Sequence, residues 1–205
     1  MPILNVENDY SILITTKCNW NCPYCAVRNK VDMNANCDTE NIISRLKTIP
    51  EKSNVTIFGG EPGLVQEDIL EEYFKNLQEK ECKIYIETNG MFFKYPRLCE
   101  KTFEILYHCS QDLFEKEQIE KHDEYNVRYV IVVTDDNICR LGNFLEINRD
   151  ILFDLIPSSF FHEQTGPILS EKRKHEIISK FSDRMTKESI KRMIHDKDFE
   201  MVQCI

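Results

Sequence analysis

Three cysteines stand close together early in the chain, Cys18, Cys22 and Cys25, in the run Lys-Cys-Asn-Trp-Asn-Cys-Pro-Tyr-Cys. Three thiolates on one tight loop can bind three irons of a cubane cluster and leave the fourth iron open. An open metal position is what catalytic sites keep. The same thiolates fit a structural zinc, with Cys37 or a histidine such as His108 as fourth ligand. A cluster used only for electron transfer would want a fourth cysteine at similar spacing, and none follows directly. A second group is Gly59-Gly60-Glu61-Pro62, and three of the chain's 6 glycines fall between Gly59 and Gly63. Adjacent glycines let a backbone approach a ligand closely. A carboxylate there can accept hydrogen bonds from a cationic amine. A plain strand-to-helix turn would use the same residues. The third group is Glu87-Thr88-Asn89-Gly90. Its polar side chains can reach a ribose, or it is only an Asn-Gly turn.

These groups need elements to position them. A strand is expected at Tyr10–Thr16, and the cysteine loop follows it to about Asp38. Thr39–Ile49 reads as a helix, with Asp38 or Thr39 as cap, apolar Ile42, Ile43, Leu46 and Ile49 at helical spacing, and Pro50 as its end. Val55–Phe58 is a short strand that stops at the glycine pair. Gln66–Lys80 is a helix, Lys83–Glu87 a strand, Pro96–Lys101 a short helix and Phe103–His108 a strand. Asp112–Lys121 reads as a helix, Val127–Val133 as the most strand-like segment, Asn137–Ile147 as a helix and Ile151–Ile156 as a sixth strand before Pro157. Strands alternating with helices mean βαβ units and a parallel sheet. The expected fold class is therefore α/β, a partial (β/α)6 barrel or open sheet. Ligands in such folds bind outside the carboxyl ends of the strands. All three groups lie at such ends. After Pro157 the pattern changes: Ser158–Pro167 reads as a loop, and Ser170–Phe181 and Thr186–His195 as charged helices. The expected division is a core over residues 1–157 and a helical extension packed on it over 158–205.

Composition bounds the function. The chain has 205 residues, which suits one core without disulfides. Lys plus Arg is 26 and Asp plus Glu 35, giving a net charge of −9. A chain this acidic is not expected to be a general nucleic-acid binder. No basic n-region opens it and no apolar run approaches a membrane span, so a cytoplasmic location is expected. Nine cysteines, an odd number without an export signal, point to metal or catalysis rather than disulfides. The dispersed Cys37, Cys82, Cys99, Cys109, Cys139 and Cys204 read as small apolar residues.

The cysteine spacing, with an aromatic before the last cysteine, resembles the signature of the radical SAM superfamily. Gly59-Gly60-Glu61-Pro62 resembles the family's "GGEP" element, and Glu87-Thr88-Asn89-Gly90 its "ETNG" element. The resemblance implies a [4Fe–4S] cluster on Cys18, Cys22 and Cys25, whose fourth iron binds the amino and carboxylate groups of S-adenosylmethionine. Reductive cleavage of S-adenosylmethionine would then release methionine and a 5′-deoxyadenosyl radical, which takes hydrogen from a substrate. It further implies that Gly59, Gly60, Glu61 and Pro62 hold the methionine amino group, and that Glu87 and Asn89 lie near the cofactor. Tyr24 takes the place of the aromatic near adenine. Apart from the resemblance, Ser110 or Gln111, just past the fourth strand, could touch ribose or substrate from the same pocket, or simply form a strand end with a helix cap. An external one-electron reductant of flavodoxin or ferredoxin type is implied as partner.

The reaction on substrate is less legible. A small-molecule or nucleotide-type substrate is the expectation. The chain partly resembles 7-carboxy-7-deazaguanine synthase, but Ala26-Val27 stand where that family has Asp-Thr, and its glutamine- and glycine-rich stretch before the first strand is missing. It also resembles activases that place a glycyl radical on a partner enzyme. A non-catalytic zinc- or cluster-binding module is the alternative of another class. Thr134, Asp135 and Asp136 could bind substrate, though an Asp cap for the next helix is expected there. Ser158 and Ser159 could line the pocket.

Overall fold

Along each strand the side chains alternate between two very different surroundings, as a period of two requires. Ile12, Ile14, Val55, Ile57, Ile84, Ile86 and Ile105 share one apolar cluster with Leu46, Leu70, Phe74 and Leu77 of the helices. Tyr107, Tyr129, Ile131, Val133, Phe153 and Leu155 share a second with Leu141, Phe144 and Leu145. The intervening residues face the other way and include Thr56, Glu87, Glu104, His108, Arg128 and Asp154. Only Tyr85, Leu106, Val130 and Ile156 form a buried apolar group on that face. One face of the sheet is thus a helix-covered core, and the other is a polar wall.

In the computed structural model, residues 9–25, 27, 37–157 and 170–194 are described. Six strands form one parallel sheet in chain order: β1 Asp9–Thr15, β2 Asn54–Gly59, β3 Lys83–Thr88, β4 Glu104–His108, β5 Val127–Val133 and β6 Phe153–Pro157. Between them lie α1 Thr39–Thr48, α2 Glu67–Gln78, α3 Pro96–Glu100, α4 Asp112–Glu115 and α5 Ile138–Ile147. Two further helices, α6 Glu171–Phe181 and α7 Lys187–Ile194, follow β6. This is an α/β partial barrel, left open between β1 and β6. Asp38 caps α1, its Oδ1 accepting from the Asn41 amide at 2.7 Å. Ser170 caps α6 through Arg173.

Two local expectations fail for identifiable reasons. The helix expected over Asp112–Lys121 closes at Glu115. Asp112 is fully buried, taking the Tyr107 hydroxyl at 2.7 Å and facing Lys116 Nζ at 3.0 Å. Beyond it the chain runs as a loop whose Ile119 is buried. Asn148 holds that loop, accepting from the Ile119 amide at 3.1 Å and donating to the Glu117 carbonyl at 3.1 Å. The turn into α5 is made by Thr134 and Asn137, not by an aspartate. Asn137 Oδ1 accepts from the Thr134 amide at 2.9 Å, and Thr134 Oγ1 from the Asn137 amide at 3.2 Å. Asp135 and Asp136 are exposed. The readings of Ser158–Pro167, Ser158 and Ser159 as a pocket-lining loop lie outside the described residues, as does His195 at the end of the last helix.

The open edge of β6 is covered. Ser189 Oγ accepts from the Leu155 amide at 2.7 Å and donates to the Leu155 carbonyl at 2.8 Å. Met185 pairs as a parallel bridge with Phe153. The described helices contain no segment long and apolar enough to cross a membrane.

Candidate active site

The cysteine loop is rooted on the glycine turn by main chain. β1 and β2 run in register to Leu13 and Phe58, then slip so that Thr15 faces Gly59. Past that point the Gly60 amide donates to the Thr15 carbonyl at 2.7 Å and the Glu61 amide to the Lys17 carbonyl at 2.8 Å. A Cβ on Gly59 would overlap the Thr15 carbonyl, and one on Gly60 the Lys17 carbonyl. The two glycines therefore let one backbone approach another. From Lys17 the loop carries Cys18, Cys22 and Cys25, none in a disulfide and all half-buried. A turn joins the last two, the Cys25 amide donating to the Cys22 carbonyl at 3.1 Å.

Glu61 ties the second turn to the third. Its side chain is fully buried. Oε1 accepts from the Gly63 amide at 2.7 Å and the Thr88 hydroxyl at 2.8 Å, and Oε2 from the Asn89 amide at 2.7 Å. Burial pushes this carboxyl above its ordinary range, against the pull of those hydrogen bonds and of nearby His108. Thr88 is a second hub, its Oγ1 also accepting from the Gly90 and Phe92 amides at 3.0 and 3.3 Å. Sequence reasoning passed over Thr88, although it sits inside the third motif. Pro62 begins a single 3-10 turn through Leu64. The side chain of Asn89 points back to the cysteine loop, donating to Asn19 Oδ1 at 2.8 Å and to Cys18 Sγ at 3.7 Å.

The remaining site residues lie on the polar wall and above it. Tyr24 and Ser110 are joined by a side-chain hydrogen bond, and Tyr24 makes another with Cys22. Burial pushes the Tyr24 phenol well above its ordinary value. Ser110 is buried, and its Oγ also accepts from the Val132 amide at 2.8 Å. Glu87 stands one residue before the end of β3 and His108 ends β4, with His108 Nε2 3.6 Å from Glu87 Oε2. That contact is longer than a hydrogen bond, and it is an ion pair when the imidazole is protonated. Burial alone would raise the Glu87 carboxyl, but His108 outweighs it and holds the group below the ordinary range. Glu104 and Arg128 make a bidentate pair lower on the same wall, with contacts of 2.8 and 2.9 Å from Arg128 Nη2. Beside the cysteine loop opens a cavity of about 290 Å³, bounded by Asn19, Trp20, Asn89, Phe93, Tyr107 and Asp112.

Cys18, Cys22 and Cys25 stand on one loop after β1, and three thiolates on such a loop suit an iron–sulfur cluster that keeps one iron open. Among the described residues no three His, Cys, Asp or Glu side chains are already grouped to hold a metal ion. Of the candidate fourth ligands to zinc, Cys37 packs against the first core and His108 faces Glu87.

The comparisons with known proteins bear on the family and the fold. Residues 12–133 match the radical SAM superfamily, and the chain belongs to it. Membership implies S-adenosylmethionine and an iron–sulfur cluster as cofactors. No curated protein matches the chain. Among solved structures, native anSMEcpe with bound AdoMet and a Cp18Cys peptide is similar at a TM-score of 0.59 and 15% identity, covering 85% of this chain and 58% of that one. Native anSMEcpe with bound AdoMet alone gives 0.55 and 15%, covering 85% and 59%. These likenesses concern the fold. The chain spans less than two thirds of the length of those proteins.

Proposed function

We propose that this chain is a radical SAM enzyme that uses a [4Fe–4S] cluster on Cys18, Cys22 and Cys25 to take hydrogen from a small-molecule or nucleotide-type substrate. The observation that carries this reading is the main-chain and side-chain linkage of three motif turns at the ends of β1, β2 and β3. The cluster with S-adenosylmethionine supplies, on receipt of one electron, cleavage of a carbon–sulfur bond to methionine and a 5′-deoxyadenosyl radical. The protein's part is to position and to exclude water. Cys18, Cys22 and Cys25 provide the thiolates. Gly59, Gly60 and Pro62 shape the strand-end turn where the methionine amino group is expected, and Glu61 keeps that turn fixed to the third. Tyr24 closes over the wall from the cysteine loop through its bond to Ser110. Glu87 and His108 present polar groups to whatever lies against the wall, and the electron comes from an external carrier of flavodoxin or ferredoxin type.

The test is anaerobic reconstitution with iron and sulfide, reduction by dithionite with S-adenosylmethionine, and chromatography of 5′-deoxyadenosine, with iron and zinc counted in the same sample. Cluster-dependent 5′-deoxyadenosine is the expected result, falling to background in Cys18→Ala. Stoichiometric zinc with no iron uptake and no cleavage would replace this reading by a structural metal module. Retained cleavage in Cys18→Ala with an intact cluster would sink the ligand assignment.

A further inference from the structure

Asn89 is anchored at its backbone. Its own backbone amide is bound by Glu61 Oε2 at 2.7 Å, and Gly90 behind it takes a left-handed φ of 106°. Its side-chain amide is oriented by the hydrogen bonds around it, with Oδ1 on the side of the Met91 amide at 3.5 Å. The NH₂ end then has two hydrogens and two acceptors, Asn19 Oδ1 at 2.8 Å and Cys18 Sγ at 3.7 Å. Cys18 Sγ also accepts from the Trp20 backbone amide at 3.3 Å. A sulfur that receives N–H donors from two directions is already set as an electron-rich acceptor.

We propose that Asn89, rather than contacting the cofactor's ribose, tunes the cluster by donating an N–H···S hydrogen bond to the Cys18 thiolate. This inference rests on the cluster assignment above. Reduction adds one negative charge to the cluster and its sulfur ligands. An N–H dipole aimed at a ligand sulfur stabilises the reduced form more than the oxidised form, so it raises the potential. Losing the donor makes the cluster harder to reduce. Asn89 is thereby a positioning residue linked through Glu61 to the glycine turn, so the geometry of that turn and the electronics of Cys18 are set by one hydrogen-bonded chain.

The experiment is an EPR-monitored redox titration, without S-adenosylmethionine, of reconstituted wild type, Asn89→Ala and Asn19→Ala, with iron counted in each. The expected result is equal iron content and, in Asn89→Ala, a reduced-to-oxidised ratio about tenfold lower at the wild-type midpoint, a fall of about 59 mV for a one-electron couple. Asn19→Ala, which removes the neighbouring acceptor and leaves the N–H···S bond, should keep the wild-type midpoint. An unchanged midpoint in Asn89→Ala overturns the proposal, and so does an equal shift in both variants, which would make the effect one of loop rigidity. If Asn89→Ala fails to load iron, the similarly sized and uncharged Asn89→Leu takes its place and must load iron and titrate lower; failure to load would make Asn89 a folding residue and overturn the proposal. Wild type that takes up no iron would bring down the cluster assignment itself.

Discussion

Two carboxylates in this site have opposite surroundings. Glu61 is enclosed and bound by Gly63, Thr88 and Asn89, and burial pushes it up. Glu87 is partly exposed beside His108 and is held down. A carboxylate depressed in the folded state adds stability that is fully present above its unfolded value, about 4.5, and is lost as pH falls through the lower folded value. The urea midpoint of wild type should therefore exceed that of Glu87→Gln while Glu87 is ionised and His108 is protonated, and the margin should shrink as pH falls below the ordinary glutamate range. A margin independent of pH down to strong acid would contradict the pairing. Residue identity was legible in the sequence here, but direction was not. Glu61 and Asn89 belong to motifs that suggest a ligand and Ser110 follows a strand end, yet each makes bonds within the protein, to the third turn, to Cys18 and to Val132. Spacing along a chain says which strand end a side chain leaves from and nothing about which neighbour claims it.

At the scale of elements, the glycine turn is a clasp between two loops. The space at Gly60 is already filled by the Lys17 carbonyl, so Gly60→Ala must push the root of the cysteine loop away. Forced overpacking of this kind costs about 1–3 kcal/mol. The expected outcome is a protein that still folds, with a thermal midpoint lowered accordingly, and that takes up less iron on reconstitution than wild type. Normal iron content in a destabilised Gly60→Ala would separate the clasp from metal binding. The strands themselves were legible because one face of every strand is continuously apolar. The start of α4 was legible too, but its end at Glu115 was not, because nothing in the charged run that follows marks a stop. The anchor that stops it, Asn148, lies 31 residues beyond Glu117 in the chain.

Over the whole molecule, a six-stranded open sheet leaves two edges, and an uncovered edge invites pairing with another chain. Here the segment after β6 covers one edge with a side chain: the Ser189 hydroxyl satisfies both the amide and the carbonyl of Leu155. Leaving a buried donor or acceptor unpaired costs about 1–3 kcal/mol. Ser189→Ala should lower stability in that range and increase self-association by light scattering, with iron content unchanged; an unaltered midpoint would mean that water replaces the hydroxyl freely. The strict chain order of the strands has a consequence for synthesis. Residues 9–105, with every cluster cysteine and all three turns, build the first hydrophobic cluster largely by themselves. The second cluster is drawn from Tyr107 onward. A ribosome adding about 5–20 residues per second delivers the half that carries Cys18, Cys22 and Cys25 several seconds before the half that completes the sheet. On the cluster assignment proposed above, the three thiols would spend that interval on a half-built sheet, open to metal and to oxidants alike.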